Sequence, residues 1–308
     1  MIAVSDIAYV RYRAPDLERM ERFLLDFGLK PAARTASTLY MRAAGAEPYV
    51  HITEIGEPAH GIGLGLLAQS ESDLERIAAR FGVHVKDNPE PRGGRIVTVA
   101  DPNGLRVDLL HGARAAAPLQ TRRPLHLNTI SEHRRLARRQ RPEPGPSHVM
   151  RLGHVVLKAR DYRESLDFYT SLFGFRISDT YYAGGEDNTI MAFLHCGLGG
   201  RYTDHHTIAV AEIPGGGFEH SAFEVIDWDD VAIGHQHLAS KGYKHSWGIG
   251  RHVQGSQVFD YWRDPFGNKI EHWTDGDLIN DEHVPEHHRL EPGALAQWAP
   301  PMSPEFMS

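Results

Sequence analysis

The chain has 308 residues, of which 41% are hydrophobic, 9% aromatic and 24% charged, a composition typical of a globular protein and not of a disordered or fibrous one. Its length predicts two domains, and its formal net charge of −7 argues against nucleic acid as a partner. No apolar run approaches the ~20 residues of a membrane span and the N-terminus has no secretory-signal pattern, so we expect a cytoplasmic protein without a membrane partner.

Four helices are predicted in chain order, each with an acidic first turn and apolar residues at three- and four-residue spacing. They cover about 16–27, 71–81, 161–172 and 228–241. Short segments rich in β-branched and aromatic residues predict strands, which in the second half are VVLKA, MAFLHC, HTIAVAEI, SAFEVI, QVFDYW and NKIEHW.

The two halves of the chain resemble each other. Residues 7–29 match 152–175, and residues 60–82 match 220–242, where both stretches run from a histidine to a glycine 22 positions later. DPNG at Asp101 and DPFG at Asp264 each suit a type I turn that joins two strands of a hairpin. These matches predict a fourfold repeat of a strand, a helix and further strands, and hence an α+β fold with curved sheets.

A connector separates the halves. Residues 113–147 hold eight arginines and two acidic residues, with the run PEPGP at 142–146. The arginines indicate either a polyanion or subunit contact, or a solvated connector paired with acidic surface elsewhere. We therefore predict domains at 1–112 and 148–275, a connector at 113–147 and a tail at 276–308.

Three positions of the repeat differ in chemistry between the halves. The single cysteine, Cys196, excludes a thiolate cluster, so a metal would be held by imidazole and carboxylate from among the 20 histidines. The second half has His154, His220 and Glu271 where the first half has Tyr9, His60 and Asp108. Two imidazoles and one carboxylate on adjacent strands are the facial triad of non-haem Fe(II), although 66 and 51 residues separate them and no short metal motif exists. A histidine taken singly is more typical of a satisfied core residue.

Longer segments of the second half carry a family resemblance. GHVVLKARDYRESLDFYTSLFGF, HHTIAVAE, HSAFEVIDWDDVAIGHQHLASKGYKHSWGIGRH and FDYWRDPFGNKIEHWTDGD resemble the catalytic half of type I extradiol catechol dioxygenases, in the vicinal oxygen chelate superfamily. The resemblance covers about 152–277 and reaches the first half only through the repeat. It implies four βαβββ modules in two tandem domains, with the metal site in the C-terminal one.

The resemblance also implies residue roles and a reaction. His154, His220 and Glu271 would bind Fe(II), with Mn(II) as the alternative. His206 would be the acid/base histidine, and His252 and Tyr261 a polar pair near the substrate oxygens. The expected reaction is cleavage of a catechol-type ring by O₂ outside its two hydroxyls, in aromatic compound catabolism, by a homo-oligomer.

The substrate pocket is less defined by the sequence. His205 and His206 are adjacent on a predicted strand, so only one of them can face the pocket, and we favour His206, with His205 as a further candidate for a substrate contact. Trp247, Phe193 and Val156 are further pocket candidates, with Val156 standing where some family members have a polar asparagine. The tail predicts either a lid, with Trp298 or His283 facing the entrance, or a loosely ordered or subunit-contacting segment.

Two other functions are compatible with the same fold. The same fold serves glyoxalase- or isomerase-type enzymes that use Zn(II), Ni(II) or Mn(II), but these usually have four protein ligands and no fourth carboxylate is evident beside His220. A non-catalytic small-molecule binding protein of the bleomycin-resistance kind would commonly lack the triad.

Overall fold

The protein, described here from a computed structural model that covers residues 2–307, is built on two large β-sheets. The first sheet consists of β1 (Val4–Ala14), β2 (Lys30–Arg34), β3 (Thr38–Arg42), β4 (His51–Ile55), β5 (His60–Ala68), β6 (Lys86–Asp87), β7 (Arg95–Ala100) and β8 (Arg106–His111). The second half of the chain adds β9 (Val149–Ala159), β10 (Phe175–Tyr182), β11 (Thr189–Cys196), β12 (Thr203–Asp204), β13 (Ile208–Glu212), β14 (Gly217–Val225), β15 (Lys244–His252), β16 (Val258–Arg263), β17 (Lys269–Thr274), β18 (Leu278–Ile279), β19 (Glu286–Arg289) and β20 (Ala296–Trp298).

The predicted helices are all present and follow the first strand of each module. They are α1 (Leu17–Phe27), α2 (Glu71–Phe81), α3 (Tyr162–Asp167), which continues as a π-helical segment over Phe168–Leu172, and α4 (Trp228–Ser240). Side chains of Asp16, Asp161 and Asp227 accept hydrogen bonds from first-turn amides, which is how an aspartate stabilises a helix start. None of the helices in residues 2–307 is long and apolar enough to cross a membrane.

Each module closes on itself in the same way. Its first strand pairs in parallel with its last, as β1 with β4, β5 with β8, β9 with β13 and β14 with β17. The two modules of each half then meet through their first strands, which run antiparallel as β1 with β5 and β9 with β14. The prediction of an α+β fold with four βαβββ modules in two tandem units is confirmed.

The two predicted turns join antiparallel strands. The amide of Gly104 donates to the carbonyl of Asp101 at 2.9 Å between β7 and β8, and Gly267 donates to Asp264 at 3.1 Å between β16 and β17. Gly104 and Gly267 have φ of 86° and 95°, values that side chains disfavour, so the glycine of each motif is required by the backbone.

The connector is largely irregular and partly exposed. Arg122 makes two hydrogen bonds of 2.7 Å to the carboxylate of Asp227 and one of 3.2 Å to Asp230, at the start of α4. One arginine of this segment therefore pairs with acidic residues of the second half, as expected for a connector paired with acidic surface elsewhere.

The two halves share one hydrophobic core. Phe27, at the end of α1, stacks on His272 of β17 with ring centroids 3.7 Å apart, and Tyr12 Oη of β1 lies 3.0 Å from Ser221 Oγ of β14. The first half therefore packs against the helix-covered face of the second sheet.

One buried histidine of the first half makes folding sensitive to pH. His51 is fully enclosed and stacked on Tyr12, and burial lowers its pKa from 6.5 to about 3. Below pH 6.5 His51 is therefore protonated in the unfolded chain but stays neutral in the folded chain. The free energy of unfolding consequently decreases as the pH falls. Between pH 7 and pH 5 we expect wild type to lose about 2 kcal/mol more than His51→Phe. Urea unfolding at both pH values measures this, with exposed His60→Phe as the control that should follow wild type.

Candidate active site

Three strands of the second sheet bring two histidines and a glutamate together. His154 of β9 and Glu271 of β17 both pair with Ala222 of β14, and His220 lies two residues before Ala222 on the same strand. His154 Nε2 and His220 Nε2 lie 3.3 and 3.2 Å from Glu271 Oε2. Residues separated by more than fifty positions in sequence thus converge because their strands are neighbours.

This cluster fits a metal ion. Ligands on adjacent vertices of an octahedron, at about 2.1 Å from the metal, lie roughly 3 Å apart, close to the two distances found. Within residues 2–307, His220 Nε2 and both Glu271 oxygens are buried without a hydrogen-bond partner, a condition that requires explanation in a folded protein. A cation between the three side chains satisfies all of them, and the two-imidazole, one-carboxylate donor set suits Fe(II) or Mn(II).

The charge state of the cluster also suits a cation. Burial would raise the pKa of Glu271, but the imidazoles of His154 and His220 hold it well below its usual value. Burial lowers the pKa of His154. The cluster therefore presents one carboxylate and unprotonated imidazole, the forms in which these side chains bind metals.

The first half has a hydrogen bond where the second half has ligands. Tyr9 and Asp108 take the places of His154 and Glu271, because both pair with Gly65 of β5 as the ligands pair with Ala222. Tyr9 Oη donates to Asp108 Oδ2 at 2.8 Å. The tyrosine ring fills the space, since a side chain on Gly65 would contact it directly.

The third correspondence predicted from the sequence is wrong. Two residues before Gly65 stands Gly63, so Gly63 and not His60 is the structural equivalent of His220. His60 begins β5 and is exposed, whereas β14 begins three residues before His220. The equal spacing from histidine to glycine in both halves caused the error, because it does not reveal where a strand begins.

A carboxylate and a lysine lie behind His220, and the sequence did not indicate them. His220 Nδ1 is hydrogen-bonded to Glu219, and Glu219 pairs with Lys269. Because Nδ1 donates to the carboxylate, Nε2 is left as the lone-pair nitrogen that faces Glu271.

His206 and His205 form a relay with Asp179. Both histidines are buried and lie in the loop before β13, so the prediction that they are on a strand is wrong. Only His206 lines the cavity, next to His154. His205 Nε2 lies 2.8 Å from Asp179 Oδ2, and its Nδ1 lies 3.1 Å from His206 Nδ1. If His205 donates to the carboxylate, its Nδ1 accepts from His206, which leaves His206 Nε2 as a free base.

Burial lowers the pKa of His206 well below its usual value, with the neighbouring histidines His154 and His205 adding to the effect. His206 is therefore unprotonated at neutral pH and able to accept a proton. His205 itself lies behind His206, so the structure does not support it as a substrate contact.

His252 and Tyr261 contact each other on the opposite wall of the cavity. His252 Nε2 lies 2.9 Å from Tyr261 Oη, and His252 Nδ1 lies 2.9 Å from the carbonyl of Leu295. Tyr261 pairs with Glu271 across β16 and β17 and faces the ring of His220, 5.1 Å away between centroids. Burial and the charge of Glu271 raise the pKa of Tyr261 well above its usual value, so the phenol keeps its proton.

A cavity of about 170 Å³ lies above the metal cluster, far more than the roughly 10–15 Å³ that one water needs. Val156, Phe193 and Trp247, the pocket candidates named from the sequence, are among the residues that line it. Its wall reaches from β11 to β16, so the sheet curves around it. Further apolar side chains complete the wall: Ile190, Met191, Ala211, Ile213, Leu290, Leu295 and Phe306.

The tail closes one side of this cavity, but not with the residues predicted. Leu290, Leu295 and Phe306 contribute to the wall, while Trp298 stacks on Trp228 outside it. His283 is directed at the backbone of β10, with Nε2 3.0 Å from the carbonyl oxygen of Ser178. No local sequence pattern predicts this arrangement, because β19 and β20 join the sheet only through tertiary pairing with β10 and β15.

Phe306 provides a test of this cover. Its side chain is buried against Trp247 and Tyr261, and Lys269 Nζ donates to its carbonyl at 2.6 Å. Phe306→Ala removes apolar contact with a bound ring, so we expect KM to rise about tenfold with iron content unchanged. Steady-state kinetics measure this. Trp298→Ala, an aromatic truncation in the same tail outside the cavity, is the control, and an equal rise in both variants would contradict the placement.

Comparison with known proteins agrees with this architecture. Residues 151–272, which contain all three ligand candidates, match the Glyoxalase/Bleomycin resistance protein/Dioxygenase superfamily. The chain is 31% identical over 310 residues to metapyrocatechase 2 of Cupriavidus necator, an alignment that covers 99% of this chain and 91% of the relative. On this full-length similarity, the chain belongs to the extradiol dioxygenases of that superfamily.

Two further matches concern the metal and the fold. The chain is 30% identical over 200 residues to the iron-dependent extradiol dioxygenase of Rhodococcus jostii strain RHA1, over 62% of this chain and 59% of the relative. Its fold matches a Mn(II)-bound glyoxalase from Novosphingobium aromaticivorans with a TM-score of 0.80 at 24% identity, over 99% of this chain and 94% of the other.

Proposed function

We propose that the chain holds Fe(II) on His154, His220 and Glu271 and uses O₂ to open a catechol ring outside its two hydroxyls. The observation that carries the proposal is the buried triad itself, with unpartnered ligand atoms at the floor of an apolar cavity. When bound, the ion supplies Lewis acidity and open coordination positions on one face of the site. Mn(II) is the alternative ion for the same donor set.

The residues around the triad have separate roles in proton transfer and in hydrogen bonding to the substrate. His206 is the group that accepts a proton from a catechol hydroxyl and returns it later, since its Nε2 is a free base held in position by His205. Tyr261 and His252 stand on the other side as hydrogen-bond partners for the substrate oxygens. The phenol of Tyr261 stays protonated and donates to His252 Nε2, because His252 Nδ1 donates to the Leu295 carbonyl, so a bound substrate oxygen would compete with His252 for this proton.

The cavity wall supports a ring with an apolar substituent. The described residues that line the cavity include no arginine or lysine, and the polar ones away from the triad include Gln254, Gln257 and the carboxylates Glu212 and Glu219. A carboxylate on the substrate ring would be buried there without a cationic partner, at a cost of several kcal/mol. An alkyl or aryl group would instead gain about 0.8 kcal/mol for each methylene-sized unit buried.

A catechol panel tests both parts of the proposal. With Fe(II)-loaded enzyme, we expect one O₂ consumed per ring and kcat/KM at least ~100-fold higher for alkyl- or phenyl-catechols than for carboxylated ones. An oxygen electrode and the absorbance of the ring-opened product measure this. Iron bound without oxygen uptake across the panel would refute the activity, while uptake with a preference for carboxylated rings would refute only the substituent.

We also propose that the enzyme works in the cytoplasm as a homo-oligomer. A single buried cysteine, whose pKa burial raises above its usual range, suits a reducing compartment. Light scattering coupled to size-exclusion chromatography tests the oligomeric state.

A further inference from the structure

A second cluster of two histidines and a carboxylate lies on the other face of the same sheet. It consists of His235 on α4, His245 on β15 and Asp260 on β16, three elements that pack together. Asp260 directly precedes Tyr261, which faces the catalytic cavity, and successive residues of a strand point to opposite faces. The cluster is therefore separated from the catalytic triad by the sheet.

The donor atoms of this cluster are within hydrogen-bond distance of one another, which is also close to the spacing of ligands around one metal ion. His245 Nε2 lies 2.8 Å from Asp260 Oδ1, and His235 Nδ1 lies 3.2 Å from the same oxygen. Two ligands of a tetrahedral Zn²⁺, at about 2.0–2.1 Å from the ion, lie roughly 3.3 Å apart. One donor atom from each residue lies within 4.8 Å of the other two, so a single ion can contact all three.

Burial and access favour an ion at this place. Asp260 is completely buried, and the ion-pair partners found for it are His235 and His245, which are charged only when protonated. Trp262 Nε1 also donates to its Oδ2 at 2.6 Å. The carboxylate favours positive charge on its neighbours and raises the pKa of His235, so a divalent cation held between the three side chains would take the place of that proton. The histidine side chains are each about one third exposed, so an ion can reach them from solvent.

We propose that His235, His245 and Asp260 bind a second divalent cation of the Zn²⁺ type. Two imidazoles and one carboxylate, with solvent as a fourth ligand, match the preference of Zn²⁺ and its neighbours Co²⁺ and Ni²⁺ for nitrogen-rich sites. The ion links α4 to β15 and β16 behind Tyr261 and so stabilises the wall of the catalytic cavity. It has no part in the ring-cleavage chemistry.

Zinc stoichiometry in a variant without the catalytic site tests the proposal. The background is His154→Ala/His220→Ala, treated with chelator and then dialysed against Zn²⁺. We expect one bound equivalent in this background and none when His235→Gln is added. His237→Gln is the matched control, because His237 lies on the same helix but contacts Asp26 instead, and it should leave the equivalent in place. No zinc in a background that circular dichroism shows to be folded, or the same zinc content with His235→Gln, overturns the proposal.

A second measurement uses the catalytically intact chain. Wild type loaded with Fe(II) should bind Co²⁺ with visible d–d absorption, and this absorption should be absent in Fe(II)-loaded His235→Gln, which retains ring-cleaving activity. Zn²⁺ should also raise the Tm of wild type and of His237→Gln, but not that of His235→Gln. Equal Co²⁺ spectra and equal Tm shifts in wild type and His235→Gln would show that the cluster is only a hydrogen-bonded network.

Discussion

His220→Ala is expected to abolish iron binding and to lower kcat/KM at least about 1,000-fold, because the metal supplies several kcal/mol to the reaction. Removing one of three ligands leaves the Glu271 carboxylate, which has no hydrogen-bond partner among residues 2–307, with the other histidine only. Iron content by inductively coupled plasma mass spectrometry and oxygen uptake measure the two effects.

His60→Ala is the control for this variant. Both substitutions truncate a histidine of a module's first strand, but His60 is exposed on β5 of the first half. Unchanged iron content and kcat/KM are expected for His60→Ala. Full iron content in His220→Ala would mean that the triad is not the iron site. Loss of iron together with a loss of folding, seen by circular dichroism, calls for the milder Glu271→Gln, which should also lose iron while keeping the shape of the side chain.

Much of the fold was predictable because its signals are local. Asp16, Asp161 and Asp227 stand where three of the helices start, and the two DPxG turns stand where hairpins turn. The repeat then assigned the same order of elements to both halves. These features depend on residues a few positions apart, which a single sequence displays directly.

The site was only partly predictable because its residues meet through strand register. His154 and Glu271 could be proposed because equivalent positions in the first half hold Tyr9 and Asp108, which also contact each other. The match of His60 to His220 failed, since nothing in the sequence shows that β14 begins earlier relative to its histidine than β5 does.

The supporting residues were not predictable at all. Glu219 and Lys269 behind His220, and Asp179 behind His205, are common surface residue types whose side chains are enclosed here by tertiary packing. The place of Phe306 in the cavity wall also results from tertiary packing, because this residue lies far from the rest of the site in sequence. No local pattern marks a glutamate as a hydrogen-bond acceptor for a particular histidine.

His206→Ala is expected to keep iron and to lose about 100- to 10,000-fold in kcat, the usual contribution of a positioned acid/base group. The side chain lines the cavity beside His154 but is not one of the three clustered ligands, so binding of the ion does not depend on it. Iron analysis together with single-turnover kinetics separates loss of metal from loss of rate. A variant with unchanged kcat would contradict the assignment of His206 as the proton acceptor.

The relay predicts a graded result in the residues behind His206. His205→Ala removes the acceptor that fixes the tautomer of His206, and Asp179→Asn removes the carboxylate that orients His205. Both variants should lower kcat about 10- to 100-fold, in the range found for outer-shell partners, with KM and iron content near wild type. Their effects should not add in the double variant, because they act through one hydrogen-bonded chain. Combining either change with His206→Ala should cost nothing further, since the base that the chain orients is already gone. A larger loss in His205→Ala than in His206→Ala would reverse the two roles and make His205 the base.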